Sequence, residues 1–298
     1  MKHQAGFVNI IGSPNVGKST LMNALLGQKM SIISPKAQTT RHRILGFCNA
    51  ENYQIIYSDT PGLLHPNYAL QEAMMGQIQS ALEDADVFIL LTDIYQNSQK
   101  HQFDEKILTK IKNANVPILL LINKIDLLKN VDFLEKKVQE WHEILPEAEI
   151  LPISALKKEN IDWVLQKILT FLPEHPPYFD KEDLSDRNMR FFIGEMIREQ
   201  IFFHYEKEIP YSCEVVVHRY QKGARVLEIE AEILVNRDSQ KGILLGHKGE
   251  RMKKLASAAR QEIEKFLGQQ IFLKIWVKAD KNWREDTLKL KKYGYLSD

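Results

Sequence analysis

The sequence predicts an α/β domain, with a mostly parallel sheet covered by helices on both faces, followed by a smaller α+β domain. Short apolar runs alternate with helical stretches over residues 1–173, which is typical of a doubly wound sheet. A Gly-x4-Gly-Lys-Ser motif at residues 12–19 follows the first of these runs. A stretch rich in Pro and acidic residues, 174–186, then separates this part from residues 187–298. We interpret that stretch as a linker between two domains.

The composition is that of a globular chain that can bury a sizeable core. Of the 298 residues, 44% are apolar and 27% are charged. The net charge of +1 conceals an asymmetry, because residues 1–185 carry 18 Lys and Arg against 22 Asp and Glu, whereas residues 186–298 carry 22 against 17. The basic part predicts contact with a polyanion, and an ordinary solvated surface is the alternative.

Cysteine usage and hydropathy indicate the expected compartment. Cys48 and Cys213 lie far apart without metal-ligand spacing, which predicts free thiols in a reducing cytosol. The longest apolar run, Val116–Ile122, is far shorter than the roughly 20 residues of a membrane-spanning helix. We therefore expect a cytoplasmic protein without a signal peptide, and peripheral membrane contact is left open.

Near-continuous apolar runs predict strands that are buried on both faces of a parallel sheet. Arg43–Cys48 is predicted as a further strand, antiparallel to its neighbour because the connection is short. Ligands bind at the carboxyl ends of such strands, and the motifs below all lie there. The predicted core strands are Phe7–Ile11, Tyr53–Tyr57, Val87–Leu91, Ile118–Ile122 and Ile150–Ile153.

The motif at residues 12–19 predicts a phosphate-binding loop between a strand and a helix that includes Thr20–Leu26. Its glycines let successive N–H groups face phosphate oxygens at a helix N-terminus. Lys18 can reach the β- and γ-phosphates, and the hydroxyl of Ser19 can ligate Mg²⁺. The predicted nucleotide contacts here are Gly12, Ser13, Pro14, Asn15, Val16, Gly17, Lys18, Ser19 and Thr20.

Two further segments are predicted to contact Mg²⁺ and the γ-phosphate. Asp59 can hold the hydrated ion, and the N–H of Gly62 can reach the γ-phosphate, with Thr60 and Pro61 between them. The polar stretch Pro35–Arg43 fits neither helix nor strand, as a switch loop would. Thr40 is its preferred magnesium ligand and Thr39 the alternative, which makes Ser19, Thr40 and Asp59 the predicted metal residues.

Asn123-Lys124-Ile125-Asp126 predicts selection of guanine. The carboxylate of Asp126 can accept hydrogen bonds from both donors on one edge of guanine, and adenine lacks this pair of donors. Asn123 suits the N7/O6 edge, the stem of Lys124 can cover the base, and the segment Ser154, Ala155 and Leu156 can contact O6. These loops predict binding of GTP and GDP.

The motif set resembles the translation-factor class of GTPases, and the Era branch in particular. Thr39-Thr40-Arg41, the Asp-Thr-Pro-Gly segment at 59–62 and Asn15 carry the second resemblance. It implies hydrolysis of GTP to GDP, with Lys18, Asn15, Thr40 and Gly62 as catalytic residues. In relatives the Asn that matches Asn15 helps to bind a monovalent cation, which implies K⁺ beside Mg²⁺, and a purely structural Asn15 is the alternative.

Hydrolysis is expected to be slow, because Leu63 and Leu64 stand where many GTPases carry a Gln that orients water.

Residues 187–298 have the predicted order α-β-β-α-α-β, with Gly246-His247-Lys248-Gly249 between the last two helices. A Gly-x-x-Gly loop in this order resembles a KH domain in its bacterial form, type II. Two glycines allow a nucleic-acid backbone to approach closely, and helix N-termini favour its phosphates. The predicted RNA contacts are Lys241, Ile243, Leu244, Gly246, His247, Lys248, Gly249, Arg251, Lys253 and Lys254.

The resemblance to the Era family thus covers the whole chain. It implies a monomer that binds single-stranded RNA, the 3′ end of the small-subunit ribosomal RNA, during assembly of the small ribosomal subunit. It also implies peripheral association with the cytoplasmic face of the inner membrane. Two alternatives are a signalling or membrane GTPase whose second domain binds protein, and a metabolic phosphotransferase. The phosphotransferase is disfavoured because residues 123–126 select a base.

Overall fold

A computed structural model of the chain describes residues 3–95 and 105–296. By their contacts the residues form two compact units. The first comprises Met1–Ser31, Thr40–His65 and Met74–Asp186, and the second comprises Ile32–Thr39, Pro66–Ala73 and Arg187–Asp298. The two short segments of the second unit, 32–39 and 66–73, were not foreseen from the sequence.

The first unit contains a six-stranded sheet in the order β2-β3-β1-β4-β5-β6. All neighbours are parallel except β2 and β3, which are antiparallel. This confirms the predicted α/β fold and its antiparallel edge. The strands are β1 (Gln4–Gly12), β2 (Ile44–Asn49), β3 (Tyr53–Asp59), β4 (Val87–Asp93), β5 (Ile118–Asn123) and β6 (Glu149–Pro152).

Helices cover the sheet because its central strands are apolar on both sides. Every residue of β4 and β5 is buried. One face packs with Ile107, Ile111 and Trp141 in a single apolar cluster. The helices, in chain order, are α1 (Lys18–Leu26), α2 (Ala69–Glu83), α3 (Glu105–Asn113), α4 (Val131–Ile144) and α5 (Ile161–Phe171).

The register of the sheet brings the ends of four strands to one edge. Ile10 pairs with Asp59, Gly12 with Leu91, and Asp93 with Asn123. Because these strands are parallel, the loops that leave their carboxyl ends lie side by side. This edge therefore carries the predicted nucleotide motifs.

Residues 174–186 do not form a separate linker, contrary to the prediction. Phe47 N donates to Leu184 O at 3.0 Å, and Gln54 Nε2 donates to Phe179 O at 2.9 Å. The rings of Phe47 and Phe179 stack with centroids 4.2 Å apart. The backbone of this segment is irregular, and these contacts make it part of the first unit.

The second unit contains a three-stranded sheet in the order β7-β8-β9, with β7 antiparallel and β9 parallel to β8. The predicted order α-β-β-α-α-β is present, with the short helices α7 and α10 in addition. The elements are α6 (Met189–His204), α7 (Ile209–Ser212), β7 (Cys213–Lys222), β8 (Leu227–Val235), α8 (Asp238–Leu245), α9 (Glu250–Leu267), β9 (Ile271–Ala279) and α10 (Thr287–Lys292). Within the described residues no helix is both long and apolar enough to cross a bilayer.

The core of the second unit lies between its sheet and the helices α6 and α9. Ile197 and Ile263 pack with the inward residues of β8, which alternate with half-buried ones, as is typical of a strand that faces the core on one side. Segment 32–39 is held on α6 by polar contacts. Arg198 Nη2 donates to Thr39 O at 2.6 Å, and Ile33 N donates to Glu199 Oε1 at 2.9 Å.

Candidate functional site

The phosphate loop runs from the end of β1 at Gly12 to the start of α1 at Lys18. A Cβ on Gly12 would lie 2.4 Å from the carbonyl oxygen of Leu91, so no larger residue fits. Gly17 has φ 102°, and a Cβ there would lie 2.4 Å from Asn123 Nδ2. Both glycines are therefore required by close approach, and the loop has the strand–loop–helix context that the motif predicts.

Lys18 is folded back over this loop. Its Nζ donates to Gly12 O at 2.9 Å and to Ser13 O at 3.0 Å, and the residue is only 6% exposed. Burial lowers the pKa of Lys18 to about 8, against the attraction of Asp59, which raises it. A phosphate in the loop would favour the charged ammonium, because an opposite charge nearby stabilises the ionised form.

The predicted magnesium residues come together. Ser19 Oγ donates to Asp59 Oδ2 at 2.7 Å and lies 2.8 Å from Thr40 Oγ1. Asp59 Oδ1 is buried and has no hydrogen-bond partner among the described residues. Burial raises the pKa of Asp59, against its hydrogen bond with Ser19, which lowers it. A buried carboxylate oxygen without a partner, beside two hydroxyls, fits Mg²⁺, which prefers oxygen ligands.

The geometry favours Thr40 over Thr39 as the magnesium ligand. The hydroxyl of Thr39 is engaged in its own loop, 2.7 Å from Ser34 Oγ and donating to Lys36 O at 2.8 Å. Asp59 is the only carboxylate among the three residues that are predicted to hold Mg²⁺. No group of three His, Cys, Asp or Glu side chains that could bind a metal occurs within residues 3–95 and 105–296.

The segment after β3 is fitted tightly against the phosphate loop. A Cβ on Gly62 would lie 3.0 Å from Pro14 Cα. Leu63 N donates to Gly12 O at 3.4 Å. Thr60 is fully buried, and its hydroxyl donates to Ile10 O at 2.8 Å. The Thr60 side chain thus anchors the segment to β1, which leaves Asp59 and Gly62 as the groups placed for a ligand.

The three loops of the predicted guanine site are joined through Asn123. Its Nδ2 donates to Val16 O at 2.7 Å, and its Oδ1 accepts from Ala155 N at 2.9 Å. Asp126 Oδ1 accepts from Ser154 Oγ at 2.6 Å, which orients the carboxylate. Leu156, predicted with them, is 72% exposed and packs against little.

Asp93 is a site residue that the sequence analysis missed. Lys124 Nζ donates to Asp93 Oδ2 at 2.6 Å and to Asn15 O at 2.8 Å. Lys124 is thereby held between the guanine loop and the phosphate loop. The sequence feature that could have identified Asp93 is its position. It is an acidic residue that ends the apolar strand β4 at the edge of the sheet where ligands bind.

In the second unit the Gly-x-x-Gly loop joins α8 to α9. Gly246 and Gly249 have φ 70° and 78°, and Lys248 between them has φ 49°. These left-handed residues turn the chain sharply, as the glycine pattern predicts. A Cβ on Gly246 would lie 2.7 Å from Arg251 Cγ, so the Arg251 stem covers this glycine. The predicted cations Lys241, Lys248, Arg251, Lys253 and Lys254 are all exposed.

Leu244 corrects the sequence analysis, which placed it among the RNA contacts. It is fully buried in the core of the second unit, and its carbonyl oxygen accepts from Tyr205 Oη at 2.6 Å. On α8 the neighbouring Ile243 points to a different side and is 41% exposed. The side chain of Leu244 therefore stabilises the fold and cannot line an open groove.

Fold and sites define the class: a phosphate-loop, guanine-nucleotide-binding GTPase domain joined to a KH domain. Residues 7–124 match the family model described as 50S ribosome-binding GTPase, and residues 208–284 match the KH domain model. Relatives that match over almost the whole of this chain define the class further.

The chain is 42% identical to "GTPase ERA1, chloroplastic" of Zea mays over 98% of its length and 71% of the relative. It is also 42% identical to "GTPase ERA-like, chloroplastic" of Oryza sativa subsp. japonica, over 98% of its length and 70% of the relative. The chain therefore belongs to the Era family of GTPases, and it is a GTPase.

Two solved structures support this assignment over the whole chain. One is Era in complex with MgGDPNP and nucleotides 1506–1542 of 16S ribosomal RNA, and the other is a variant of Aquifex aeolicus Era bound to GDP and AlF4⁻. Each has a TM-score of 0.93 and 39% identity, covering 98% of this chain and 99% of the other.

Proposed function

We propose that this protein is a GTP-regulated RNA-binding factor in assembly of the small ribosomal subunit, and that it binds the 3′ end of the small-subunit ribosomal RNA. The observation that carries the proposal is the Gly246–Gly249 loop, with its turned backbone and five exposed cations nearby. The Era relative solved with nucleotides 1506–1542 of 16S ribosomal RNA supports the choice of RNA. The partners would be GTP or GDP, single-stranded RNA and the small ribosomal subunit.

In the nucleotide site each group has a separable task. Lys18 would place positive charge against the β- and γ-phosphates. The N–H of Gly62, held against Pro14, would donate to the γ-phosphate. Asp126, oriented by Ser154, would accept from the guanine base. These contacts bind and position GTP, which is most of what phosphoryl transfer requires from a protein.

Mg²⁺ is proposed as the cofactor, held by Ser19, Thr40 and Asp59, whose oxygens lie together. When bound, the ion neutralises charge that develops on the phosphate oxygens. Leu63 and Leu64 supply no polar side chain that could orient the attacking water. We therefore propose slow intrinsic hydrolysis, assisted by K⁺ near Asn15.

We propose that the protein acts in the cytoplasm and as a monomer. Peripheral association with the inner membrane is proposed with it and would use an exposed surface of the folded chain. Sedimentation with vesicles of anionic lipid would test this association separately from RNA binding.

The simplest test of the proposed function compares the affinities of two RNAs, one that can present unstacked bases and one that is fully paired. The RNA of the solved relative's complex, nucleotides 1506–1542, should bind more tightly than a perfect duplex of the same length, because a clamped strand must present unstacked bases. The measurement is fluorescence anisotropy at physiological salt. Binding of neither RNA, by a protein that still binds GTP, would contradict the proposal and favour a second domain that binds protein.

A further inference from the structure

A cluster of polar side chains in the first unit is centred on Arg43, whose side chain is only 13% exposed. Its Nη1 and Nη2 donate to the two carboxylate oxygens of Asp84 at 2.7 and 2.8 Å, which is a bidentate pair. Its Nε donates to Ser58 Oγ at 2.7 Å, and its backbone N donates to Gln77 Oε1 at 2.6 Å. Arg43 is thus bonded to β3, to α2 and to the residue that follows α2.

Asn9 connects β1 to the same cluster. It is fully buried, its Oδ1 accepts from Arg43 Nη2 at 3.4 Å, and its Nδ2 donates to Asp84 Oδ1 at 2.8 Å. Asn9 is paired with Ser58 in the register of the sheet, so one guanidinium joins two neighbouring strands and a helix. In such a network the loss of one member leaves buried polar groups without partners, which is costly.

The cluster joins the chain segments that carry the proposed contacts with Mg²⁺ and the γ-phosphate. Arg43 follows Thr40 by three residues, and Ser58 immediately precedes Asp59. The helix α2, which carries Gln77, follows the segment of Gly62. The ends of all three segments are therefore connected through Arg43.

The position of Thr40 depends on how the end of its loop is held. Residues 40–43 precede β2 and belong to neither a helix nor a strand. A chain of three residues spans at most about 10 Å, so bonds that fix Arg43 on β3 and α2 limit where Thr40 can lie. With Arg43 fixed in this way, Thr40 Oγ1 lies 2.8 Å from Ser19 Oγ.

We propose that Arg43 is a positioning residue for GTP hydrolysis, which holds the Thr40 loop, through its pair with Asp84, where Thr40 can complete the magnesium site. Arg43 touches neither GTP nor Mg²⁺ in this role and acts through Thr40. The proposal rests on the proposed magnesium role of Thr40. It predicts an effect specific to the triphosphate, because switch loops are ordered by contacts with Mg²⁺ and the γ-phosphate and are released on hydrolysis.

The first test is the affinity of Arg43→Lys for MgGDPNP and for MgGDP. Lysine keeps the charge but lacks the planar fork, so it cannot bond to Asp84, Ser58 and Asn9 together. If the Thr40 loop then adopts its binding position about a tenth of the time, the affinity for MgGDPNP falls by about tenfold. The affinity for MgGDP should stay within about twofold of wild type, since GDP has no γ-phosphate. Titration calorimetry measures both affinities.

Asp84→Asn tests the same pair without changing the loop. It should lower the affinity for MgGDPNP, and the double variant should bind no more weakly than Arg43→Lys alone, because both changes break one interaction. The matched control is Glu149→Gln. The Glu149 carboxylate is 36% exposed, against 41% for Asp84, and it pairs with Lys167 elsewhere in the first unit. This control should leave both affinities as in wild type.

Hydrogen exchange in the nucleotide-free protein provides a measurement that needs no bound ligand. The amides of residues 40–43 should exchange several-fold faster in Arg43→Lys than in wild type, while those of the central strand β5 stay protected. If exchange is instead faster throughout the first unit, and both nucleotides bind equally more weakly, Arg43 contributes only to global stability and the proposal is wrong.

Thr40→Val separates this proposal from the magnesium assignment. If Thr40→Val leaves the ratio of MgGDPNP affinity to MgGDP affinity unchanged, the magnesium role of Thr40 fails, and the proposal for Arg43 fails with it. If Thr40→Val lowers the ratio but Arg43→Lys and Asp84→Asn do not, Arg43 has no positioning role, although the proposed function stands. A lowered ratio in all three variants, with Glu149→Gln as in wild type, supports the proposal.

Discussion

Asp126 is the residue to which we assign the proposed selection of the base. Its carboxylate is oriented by Ser154 Oγ at 2.6 Å and lies in a loop fixed by Asn123. A carboxylate that is already oriented loses little freedom when it accepts two hydrogen bonds from guanine. In the proposed function, one side chain therefore selects the base.

Asp126→Asn should exchange the preferred base. We expect GTP affinity to fall by roughly 100-fold and affinity for xanthosine triphosphate to rise, because an amide cannot accept from both guanine donors but can donate to an oxygen at that position. Nucleotide titrations measure both affinities. Asp162→Asn, the same change at an exposed position of α5, should leave both as in wild type. Unchanged GTP affinity in Asp126→Asn would remove this role from the residue.

Asn15 carries the proposed monovalent-cation effect. It has φ 63°, and its carbonyl oxygen accepts from Lys124. Asn15→Gly removes the side chain while glycine tolerates the same backbone, so any change reports on the side chain. GTP hydrolysis by wild type should be several-fold faster in K⁺ than in Na⁺, and the ratio should approach one in the variant. Equal wild-type rates in the two salts would show that Asn15 is structural.

At the scale of elements, the strands and the order of the motifs could be predicted because burial on both faces leaves near-continuous apolar runs. Gly12, Asp59 and Asn123 could be assigned to one edge for the same reason. Leu244 could not be placed, because an apolar residue next to a glycine loop suits a groove and a core equally. The two are distinguished only by which side of α8 faces the core, and tertiary packing determines that side.

The loop between α8 and α9 makes a quantitative prediction. Lys248 is exposed between two left-handed glycines, where a phosphate backbone would pass. Lys248→Ala should weaken RNA binding modestly and lower the log–log salt slope by about 1, as one phosphate contact is lost. Anisotropy titrations at several salt concentrations provide the slope, with Lys265→Ala, an exposed lysine in the last turn of α9, as control. A slope equal to that of wild type would mean that Lys248 makes no phosphate contact.

At the scale of the whole molecule, composition predicted two parts but not their limits. The difference in charge between residues 1–185 and 186–298 separates an acidic part from a basic one. The limits depend on contacts far apart in sequence. Phe47 with Phe179 keeps residues 174–186 in the first unit, and Arg198 with Thr39 O keeps residues 32–39 in the second. Local sequence patterns do not predict contacts between residues that are so far apart in the sequence.

The central claim is that one chain carries a GTP site and a separate RNA site, and Gly249→Asp tests it most directly. The substitution adds bulk and negative charge where a phosphate must approach. The matched control is Gly268→Asp, since Gly268 follows α9 with φ 65° and, like Gly249, has open space where a Cβ would lie. Both variants carry the same kind of backbone strain, and a thermal melt checks that each is folded.

The measurement is the affinity of each variant for the RNA of nucleotides 1506–1542 and for GTP. We expect Gly249→Asp to lose RNA binding by at least about tenfold while its GTP affinity stays within about twofold of wild type, and Gly268→Asp to retain both. A folded Gly249→Asp protein that binds this RNA as tightly as wild type would contradict the account.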